Sequence, residues 1–120
     1  MKSAVNWFEI PVSNIVSAIS FYEKVFRCKL KGLTIKEYKL AMFPATEISG
    51  ALIEEAGHVG PERGTLIYLN IPDTIEGVLE RVEKNGGKTV TPRTLIAEDV
   101  GWSATFKDPD ANIIGLYESV

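Results

Sequence analysis

Glu9 is the first candidate for chemistry because it lies inside a predicted β-strand, in the stretch N-W-F-E-I-P. Side chains alternate between the two faces of a strand, so Trp7 and Glu9 share one face while Phe8 and Ile10 share the other. Apolar neighbours on both faces predict burial, and a buried carboxylate is costly unless it is hydrogen-bonded. Two interpretations stay open. Glu9 is either a general base or ligand-orienting group, or a carboxylate that joins strands through hydrogen bonds.

Few other residues offer reactive chemistry. The single histidine, His58, lies in the stretch A-G-H-V-G-P-E-R-G, where a solvated side chain is the simpler interpretation. The single cysteine, Cys28, excludes an internal disulfide and fits a reducing cytoplasm. A small buried residue at a helix end is the favoured interpretation of Cys28 over a reactive thiol. Arg93 is interpreted as salt-bridged or solvated in preference to an anion-binding role.

Composition and charge narrow the function classes. The chain has 120 residues and a net charge of −3, which favours one domain and gives no electrostatic footprint for nucleic acid. No apolar run approaches the roughly 20 residues that span a bilayer. We therefore expect a cytoplasmic protein that binds neither nucleic acid nor a membrane.

The elements that must position these residues occur twice in the same order. Each half has a strand, a helix at 3.6-residue spacing and three further strands. Predicted helix N-caps are Ser13 or Asn14 in the first half and Asp73 or Thr74 in the second. The predicted strands are Val5 to Val12, Leu30 to Leu33, Tyr38 to Phe43, Gly50 to Glu54, the T-L-I-Y-L-N-I-P-D run, Lys88 to Thr91, Trp102 to Lys107 and Ile113 to Glu118.

The repeat predicts an α+β fold of two tandem β-α-β-β-β modules within a single domain. The modules are residues 1–56 and 64–120, joined by the loop 57–63, and Trp7 and Leu66 are 59 residues apart at equivalent positions. One helix covers one face of each sheet. We expect the helix-free faces to curl toward each other as a half-barrel cleft.

The pattern resembles the vicinal oxygen chelate superfamily, the glyoxalase, bleomycin-resistance and extradiol-dioxygenase group. The resemblance is carried by the following stretches: W-F-E-I-P-V-S-N, A-I-S-F-Y-E-K-V-F, S-G-A-L-I-E, G-T-L-I-Y-L-N-I-P-D, V-E-K-N-G-G-K-T-V-T-P-R-T and G-W-S-A-T-F-K-D-P-D-A-N-I-I-G-L-Y-E. It implies the paired-module fold and a relation to lactoylglutathione lyase. It also implies a divalent metal, held in the cleft by four His and Glu ligands, that stabilises an enolate or oxyanion.

The resemblance places those ligands at Trp7, Leu66, Gly115 and either Gly50 or Ala51. None of these side chains can bind a metal. A slip of the alignment to Glu54 would supply only one ligand. We therefore expect no metal and no other cofactor.

The expected site is then a ligand cleft in which Glu9 is the candidate catalytic group. An apolar cleft would raise a carboxyl pKa toward neutrality. The expected substrate-binding residues are Trp7, Glu9, Tyr68, Trp102 and Tyr117, with the aromatic rings as apolar walls. For Tyr68 and Trp102 a plain core role is equally open.

Three hypotheses about function follow. The first is a metal-free module that binds a small organic molecule. The second is a lyase or isomerase that uses Glu9 as a base on a small carbonyl compound. The third is a structural or interaction protein whose cleft is filled by its own side chains. The resemblance also implies a homodimer.

Overall fold

The computed structural model of the chain describes residues 3–54 and 64–120. Within these ranges it has eight strands and two helices, in the order β-α-β-β-β-β-α-β-β-β. The predicted α+β fold of two β-α-β-β-β modules is confirmed. The chain forms two compact units, one of residues 7–65 and one that combines residues up to Asn6 with Leu66–Val120. Neither helix in the described ranges is long and apolar enough to cross a bilayer.

The N-terminal unit has one mixed sheet with a helix on one face. Its elements are β1 (Val5–Pro11), α1 (Ile15–Phe26), β2 (Lys31–Ile35), β3 (Tyr38–Met42) and β4 (Ser49–Glu54). Strand β1, whose first two residues group with the other unit, pairs in parallel with β4. Strand β3 pairs antiparallel with both β4 and β2, so the order is β1-β4-β3-β2.

The C-terminal unit repeats this topology. Its elements are β5 (Leu66–Leu69), α2 (Ile75–Lys84), β6 (Lys88–Ala97), β7 (Gly101–Lys107) and β8 (Ile113–Ser119). Strand β5 pairs in parallel with β8, and β7 pairs antiparallel with both β8 and β6. The order β5-β8-β7-β6 therefore corresponds strand for strand to that of the N-terminal unit.

Both helices begin at one of the N-caps that the sequence predicts. The side chain of Asn14 accepts a hydrogen bond from the backbone N–H of Ser17, and that of Thr74 accepts one from Gly77, each at 3.0 Å. These bonds satisfy N–H groups that have no partner inside the helix. Helix α2 stops at Asn85, and Gly86 follows with φ +94°.

Asp73, the alternative N-cap predicted for α2, instead pairs with Arg81. Both of its carboxylate oxygens accept hydrogen bonds from the Arg81 guanidinium, at 2.9 and 3.0 Å. This hydrogen bonding to Arg81 is the main reason that the pKa of Asp73 lies below its usual value. Asp73 therefore ties the residue before the cap to the second turn of α2.

Each unit has its apolar core between the sheet and its helix. In the N-terminal unit, Ile15, Ala41 and Leu52 are buried together. In the C-terminal unit, the corresponding cluster is Ile75, Leu79, Ala104 and Leu116. Because paired residues project from the same side of a sheet, these clusters identify the helix-covered face of every strand.

A carboxylate at the end of the last strand of each unit holds the start of the helix. Glu54 Oε1 accepts the backbone N–H of Ile15 at 2.7 Å, and Glu118 Oε1 accepts that of Ile75 at 2.9 Å. The second oxygen of each meets a cation, Lys39 at 3.7 Å and Arg93 at 3.2 Å. The hydrogen bond from Ile75, followed by that from Arg93, lowers the pKa of Glu118.

Strand β6 is longer than predicted. The sequence interpretation ended this strand at Thr91, before a proline that has no N–H to donate. The structure continues it to Ala97, with register shifts between Thr89 and Thr91 and between Thr91 and Thr94. Pro92 is accommodated because β6 is the last strand in the order of its sheet and because Pro92 falls within the register shift between Thr91 and Thr94, where the pairing with β7 is interrupted.

Candidate functional site

The helix-free face of the N-terminal sheet is mostly apolar, and its charged side chains are Glu9 on β1 and Lys31 on β2. The pairs Glu9–Ala51, Met42–Ala51 and Leu40–Ile53 define this face, because Ile10 and Leu52 point to the helix on the other side. Ala51 and Leu40 are buried. The side chains on this face are, by register, Trp7, Glu9, Pro11, Lys31, Leu33, Ile35, Tyr38, Leu40, Met42, Ser49, Ala51 and Ile53.

Trp7 and Glu9 are brought together on this face, as predicted. The indole Nε1–H of Trp7 donates a hydrogen bond to Glu9 Oε2 at 3.2 Å. Both side chains are half-buried. The bond turns the carboxylate toward the indole edge and restricts both rotamers, so that an acceptor and an aromatic surface lie side by side. Next to them on the same face is an aliphatic floor formed by Leu40, Met42 and Ile53.

On the C-terminal sheet, Tyr68 and Tyr117 lie on the helix-free face. Tyr68 pairs with Gly115, and its ring covers that glycine so closely that a Cβ there would overlap the ring. The hydroxyl of Tyr117 donates a hydrogen bond to the carbonyl oxygen of Val100. Neighbouring positions on this face, by register, are hydroxyl-bearing: Thr91, Thr94, Ser103 and Thr105. This face is therefore more polar than that of the N-terminal sheet.

Trp102 does not lie on the helix-free face, and its predicted place in the cleft wall is corrected. It pairs with Glu118, packs against the buried cluster under α2, and has the Arg93 guanidinium 4.0 Å from its ring centroid. The prediction failed because the face of a residue in β7 depends on its register with β8. Tyr117 pairs with Ser103 and not with Trp102.

Arg93 is held within the C-terminal unit. It donates to Glu118 Oε2 at 3.2 Å, and its Nε lies 3.8 Å from a carboxylate oxygen of Glu76. With the stacking on Trp102, these contacts support the interpretation of Arg93 as a salt-bridged side chain.

The residues at the family's metal positions do not fit a metal ion. Of the two alternatives that the resemblance offers, Ala51 lies beside Glu9 on the helix-free face, while Gly50 lies against the ring of Phe8 on the other face. Glu54 shares the face of Gly50 and Leu52 and bonds to the start of α1, so it cannot serve as a slipped ligand. Within residues 3–54 and 64–120, no three His, Cys, Asp or Glu side chains form a group able to hold a metal. His58 lies outside these ranges.

An open depression of about 300 Å³ lies on the helix side of the C-terminal unit. Its floor is formed by Val78, Val82 and Phe106, and Pro109 stands at its edge. Nearby polar groups already have partners: Arg81 bonds to Asp73, while the carboxylate of Asp108 accepts bonds from Asp110 and Asn112. The polar residues that line this depression, Arg81, Asn85 and Asp108, are thus engaged within the C-terminal unit, whereas the Trp7–Glu9 face combines apolar surface with a carboxylate.

The sequence interpretation missed two features of the site. The first is the aliphatic floor formed by Leu40, Met42 and Ile53. Alternation shows which residues of a strand share a face, but it does not show whether that face is covered by the helix or free of it. The helix-holding carboxylates were also missed. Their signal is the Leu-x-Glu triplet that ends the last strand of each half, Leu52–Glu54 and Leu116–Glu118.

Comparison with known proteins agrees with this architecture. A curated relative, a glyoxylase-like domain-containing protein of Didymella fabae, is 28% identical and covers 93% of this chain and 91% of its own. A hypothetical protein from Bacillus halodurans C-125 is similar in structure, with a TM-score of 0.72 and 19% identity over 97% of this chain and 94% of its own.

A variant of Streptomyces coelicolor methylmalonyl-CoA epimerase, in complex with 2-nitronate-propionyl-CoA, has a TM-score of 0.73. It is 12% identical, over 98% of this chain and 95% of its own. At these identities the two solved structures establish a shared fold.

Two β-α-β-β-β units of the same topology define a protein of the glyoxalase-like fold. The model of the Glyoxalase/Bleomycin resistance protein/Dioxygenase superfamily matches residues 4–116. The chain belongs to this superfamily.

Proposed function

We propose that this protein binds a small organic molecule on the helix-free face of its N-terminal sheet, without a metal ion at the family's usual positions. The observation that carries the proposal is the Trp7–Glu9 pair, a hydrogen-bonded indole and carboxylate beside the aliphatic floor on the same face. Ligand sites in proteins typically combine a mainly apolar surface with a few placed polar groups. The ligand expected here is aromatic or amphipathic and carries a hydrogen-bond donor for Glu9.

The residues at the family's metal positions support the metal-free part of this proposal. Trp7, Ala51, Leu66 and Gly115 have no side-chain atom that binds a metal. At Gly115 the ring of Tyr68 takes the space where a carboxylate would have to project. A nickel- or zinc-stimulated turnover of the methylglyoxal–glutathione adduct would contradict this part.

A second candidate is a lyase or isomerase in which Glu9 moves a proton next to a carbonyl group. It is favoured by the hydrogen bond from Trp7, which orients the carboxylate as a positioned base requires. One of the structural neighbours that share this fold is an enzyme, methylmalonyl-CoA epimerase. In this chain Glu9 would take the proton and return it, and Trp7 would hold the carboxylate in place.

The first experiment is native mass spectrometry of the purified chain, followed by organic extraction and identification of the retained molecule. We expect a bound mass in the wild-type chain that is lost in Trp7→Ala. The matched control is Glu47→Gln, an exposed carboxylate in the same unit, which should retain the molecule.

If no molecule copurifies, a set of small aromatic compounds is screened by NMR with the backbone amides of β1 and β3 as reporters. Chemical-shift changes confined to other parts of the chain would contradict the proposed site.

Glu9→Gln distinguishes the two candidates. In a binding protein this variant weakens affinity, because the amide keeps an acceptor but loses the charge. In an enzyme it abolishes solvent-proton exchange at the ligand's acidic carbon, while binding survives. That exchange is followed in D₂O by NMR with the identified ligand.

A further inference from the structure

Lys31 lies on the same helix-free face as Glu9, at the other end of the strand order β1-β4-β3-β2. Glu9 of β1 pairs with Ala51 of β4, which pairs in turn with Met42 of β3. Met42 pairs with Lys31 of β2. These four residues therefore form one row that crosses all four strands of the N-terminal sheet, and we call it the charged row.

The next row along the strands is apolar throughout. Its members, in order from β1 to β2, are Pro11, Ile53, Leu40 and Leu33. In the part of the chain that the structure describes, Glu9 and Lys31 are the charged side chains that register places on this face. A carboxylate and an ammonium group thus stand at opposite ends of the charged row, separated by apolar side chains.

The charge of Lys31 is available to a ligand. Lys31 is exposed, and among the described residues no carboxylate forms an ion pair with it. Lys39 of the same sheet differs, because register places it on the helix side, where it pairs with Glu54 at 3.7 Å. An ammonium group is a compact point charge with three donors, and it forms its strong hydrogen bonds with anionic groups.

We propose that the small molecule bound on this face is a carboxylic acid that lies along the charged row, with its carboxylate at Lys31 and its hydrogen-bond donor at Glu9. This inference rests on the proposed function, to which it adds the charge of the ligand and its orientation across the strands. Ala51 has no exposed surface, so contact in the middle of the row falls to Met42. The thioether of methionine adapts to apolar groups of different shape.

The charges of the row favour a carboxylate over a phosphate. One ammonium group balances the single charge of a carboxylate. A phosphate monoester carries about −1.5 to −2 at pH 7, and its excess negative charge would face Glu9 across the row. The ligand expected here therefore has one negative charge at one end and a hydroxyl or amino donor at the other.

The width of the sheet limits the length of this ligand. The row spans three intervals of about 4.8 Å between strands, so the Cα atoms of Glu9 and Lys31 are roughly 14 Å apart. Strand side chains stand roughly perpendicular to the sheet, which keeps the two charges at about that separation. Two hydrogen bonds of about 3 Å each leave roughly 8 Å for the ligand. A benzene ring with para substituents has this length, and the flexible stem of Lys31 allows shorter molecules.

The test compares two probes of equal size, para-hydroxyphenylacetate and its neutral amide, by NMR titration of the full chain. We expect the acid to bind with a dissociation constant of about 1 mM, an ordinary value for so small a molecule. The acid should bind about three- to fivefold more tightly than the amide, which is the range of an exposed ion pair. Nuclear Overhauser effects from the probe ring to the methyl group of Met42 should place the probe on the row.

Variants of Lys31 assign this preference to its charge. Lys31→Gln should weaken binding of the acid to the level of the amide and leave the affinity for the amide unchanged, whereas Lys31→Arg should keep the preference. The matched control is Lys24→Gln, which removes the same charge from an exposed position on α1 and should also keep it. Added salt should reduce the preference in the wild-type chain and have no effect on the ratio in Lys31→Gln.

The comparison also separates ligand binding from a role of Lys31 at the sheet edge. A lysine on an outer strand opposes pairing with another chain, but that role does not distinguish an acid from its amide. Equal affinities for the two probes in the wild-type chain would overturn the inference. Equal loss of both probes in Lys31→Gln would overturn it too, because it would show that Lys31 supports the strand instead of the ligand.

Failure of the inference and failure of the proposed function have different signatures. If the probes bind without a preference for the acid and binding is lost in Trp7→Ala, the site stands and the charge assignment is wrong. If both probes bind equally well in Trp7→Ala, or shift only residues outside this face, the proposed function itself fails. Binding of neither probe at about 20 mM would overturn the assignment of a carboxylic acid.

Discussion

Glu118 is expected to be a principal support of helix α2, and its replacement by alanine tests this directly. The change removes the acceptor for the backbone N–H of Ile75 at 2.9 Å and the partner of Arg93 at 3.2 Å. The first N–H of α2 then lacks its acceptor, and the Arg93 guanidinium, which stacks on Trp102, lacks the Glu118 carboxylate. The expected result is a large loss of stability with no change of fold.

The magnitude follows from these two contacts. A hydrogen bond to a charged group contributes about 1.5–3 kcal/mol. The ion pair adds about 0.5–1 kcal/mol, because the side chains of Arg93 and Glu118 are 29% and 21% exposed and water screens them in part. Glu118→Ala should therefore lower the free energy of unfolding by about 3 kcal/mol, or the Tm by roughly 10 °C for a chain of this length.

Urea denaturation at pH 7, followed by circular dichroism, measures the effect. Glu118→Gln is the informative companion, since its amide oxygen still accepts the N–H of Ile75 but carries no charge, and we expect about half the loss. Glu98→Ala, an exposed carboxylate in the same unit, is the control and should change stability by less than about 0.5 kcal/mol. A Glu118→Ala chain as stable as this control would refute the reasoning. Equal losses in the alanine and glutamine variants would show that the charge, and not the hydrogen bond, is what matters.

Three further predictions concern stability. The pKa of Glu118 is lowered from its ordinary value of 4.5. The contribution of its carboxylate to the free energy of unfolding is therefore complete above pH 4.5 and declines as the pH falls through the lowered pKa. Urea midpoints should therefore fall below pH 4.5 more steeply in the wild-type chain than in Glu118→Gln, and parallel curves would contradict this. Gly101→Ala should lower the free energy of unfolding, measured by urea denaturation, by more than about 3 kcal/mol. The reason is that Gly101 has φ +132° and that a Cβ there would overlap the Glu118 carbonyl oxygen. A variant as stable as the wild type would show that the backbone of Glu118 does not approach Gly101 so closely. Thr74→Ala should lower the free energy of unfolding by about 1 kcal/mol, because it removes the N-cap of α2, and Thr74→Ser should be close to the wild type in the same assay. Equal losses in the two variants would show that packing of the threonine methyl group, and not the cap, is responsible.

Much of the local structure follows from the sequence alone. The start of α1 at Asn14 and the start of α2 at Thr74 were both among the predicted caps, since a cap is formed by residues three positions apart. The order of elements, and the sharing of one strand face by Trp7 and Glu9, are likewise local consequences of the 3.6- and 2-residue periods.

The tertiary structure decided which face of each strand carries the site. Trp102 is predicted in the cleft wall, but its pairing with Glu118 places it on the face that packs against α2. In the same way, pairing with Glu9 places Ala51, and not Gly50, on the helix-free face.

The partners of the charged groups also depended on the tertiary structure. Glu118 meets Ile75 across 43 positions of the chain, a contact that no local period contains. Alternation relates residues within one strand, whereas face and register are set by hydrogen bonds between strands that are distant in sequence, and a slip of one residue inverts the assignment. For this reason the sequence determined the elements and the Trp7–Glu9 pair, and only the folded sheet decided what lies beside them.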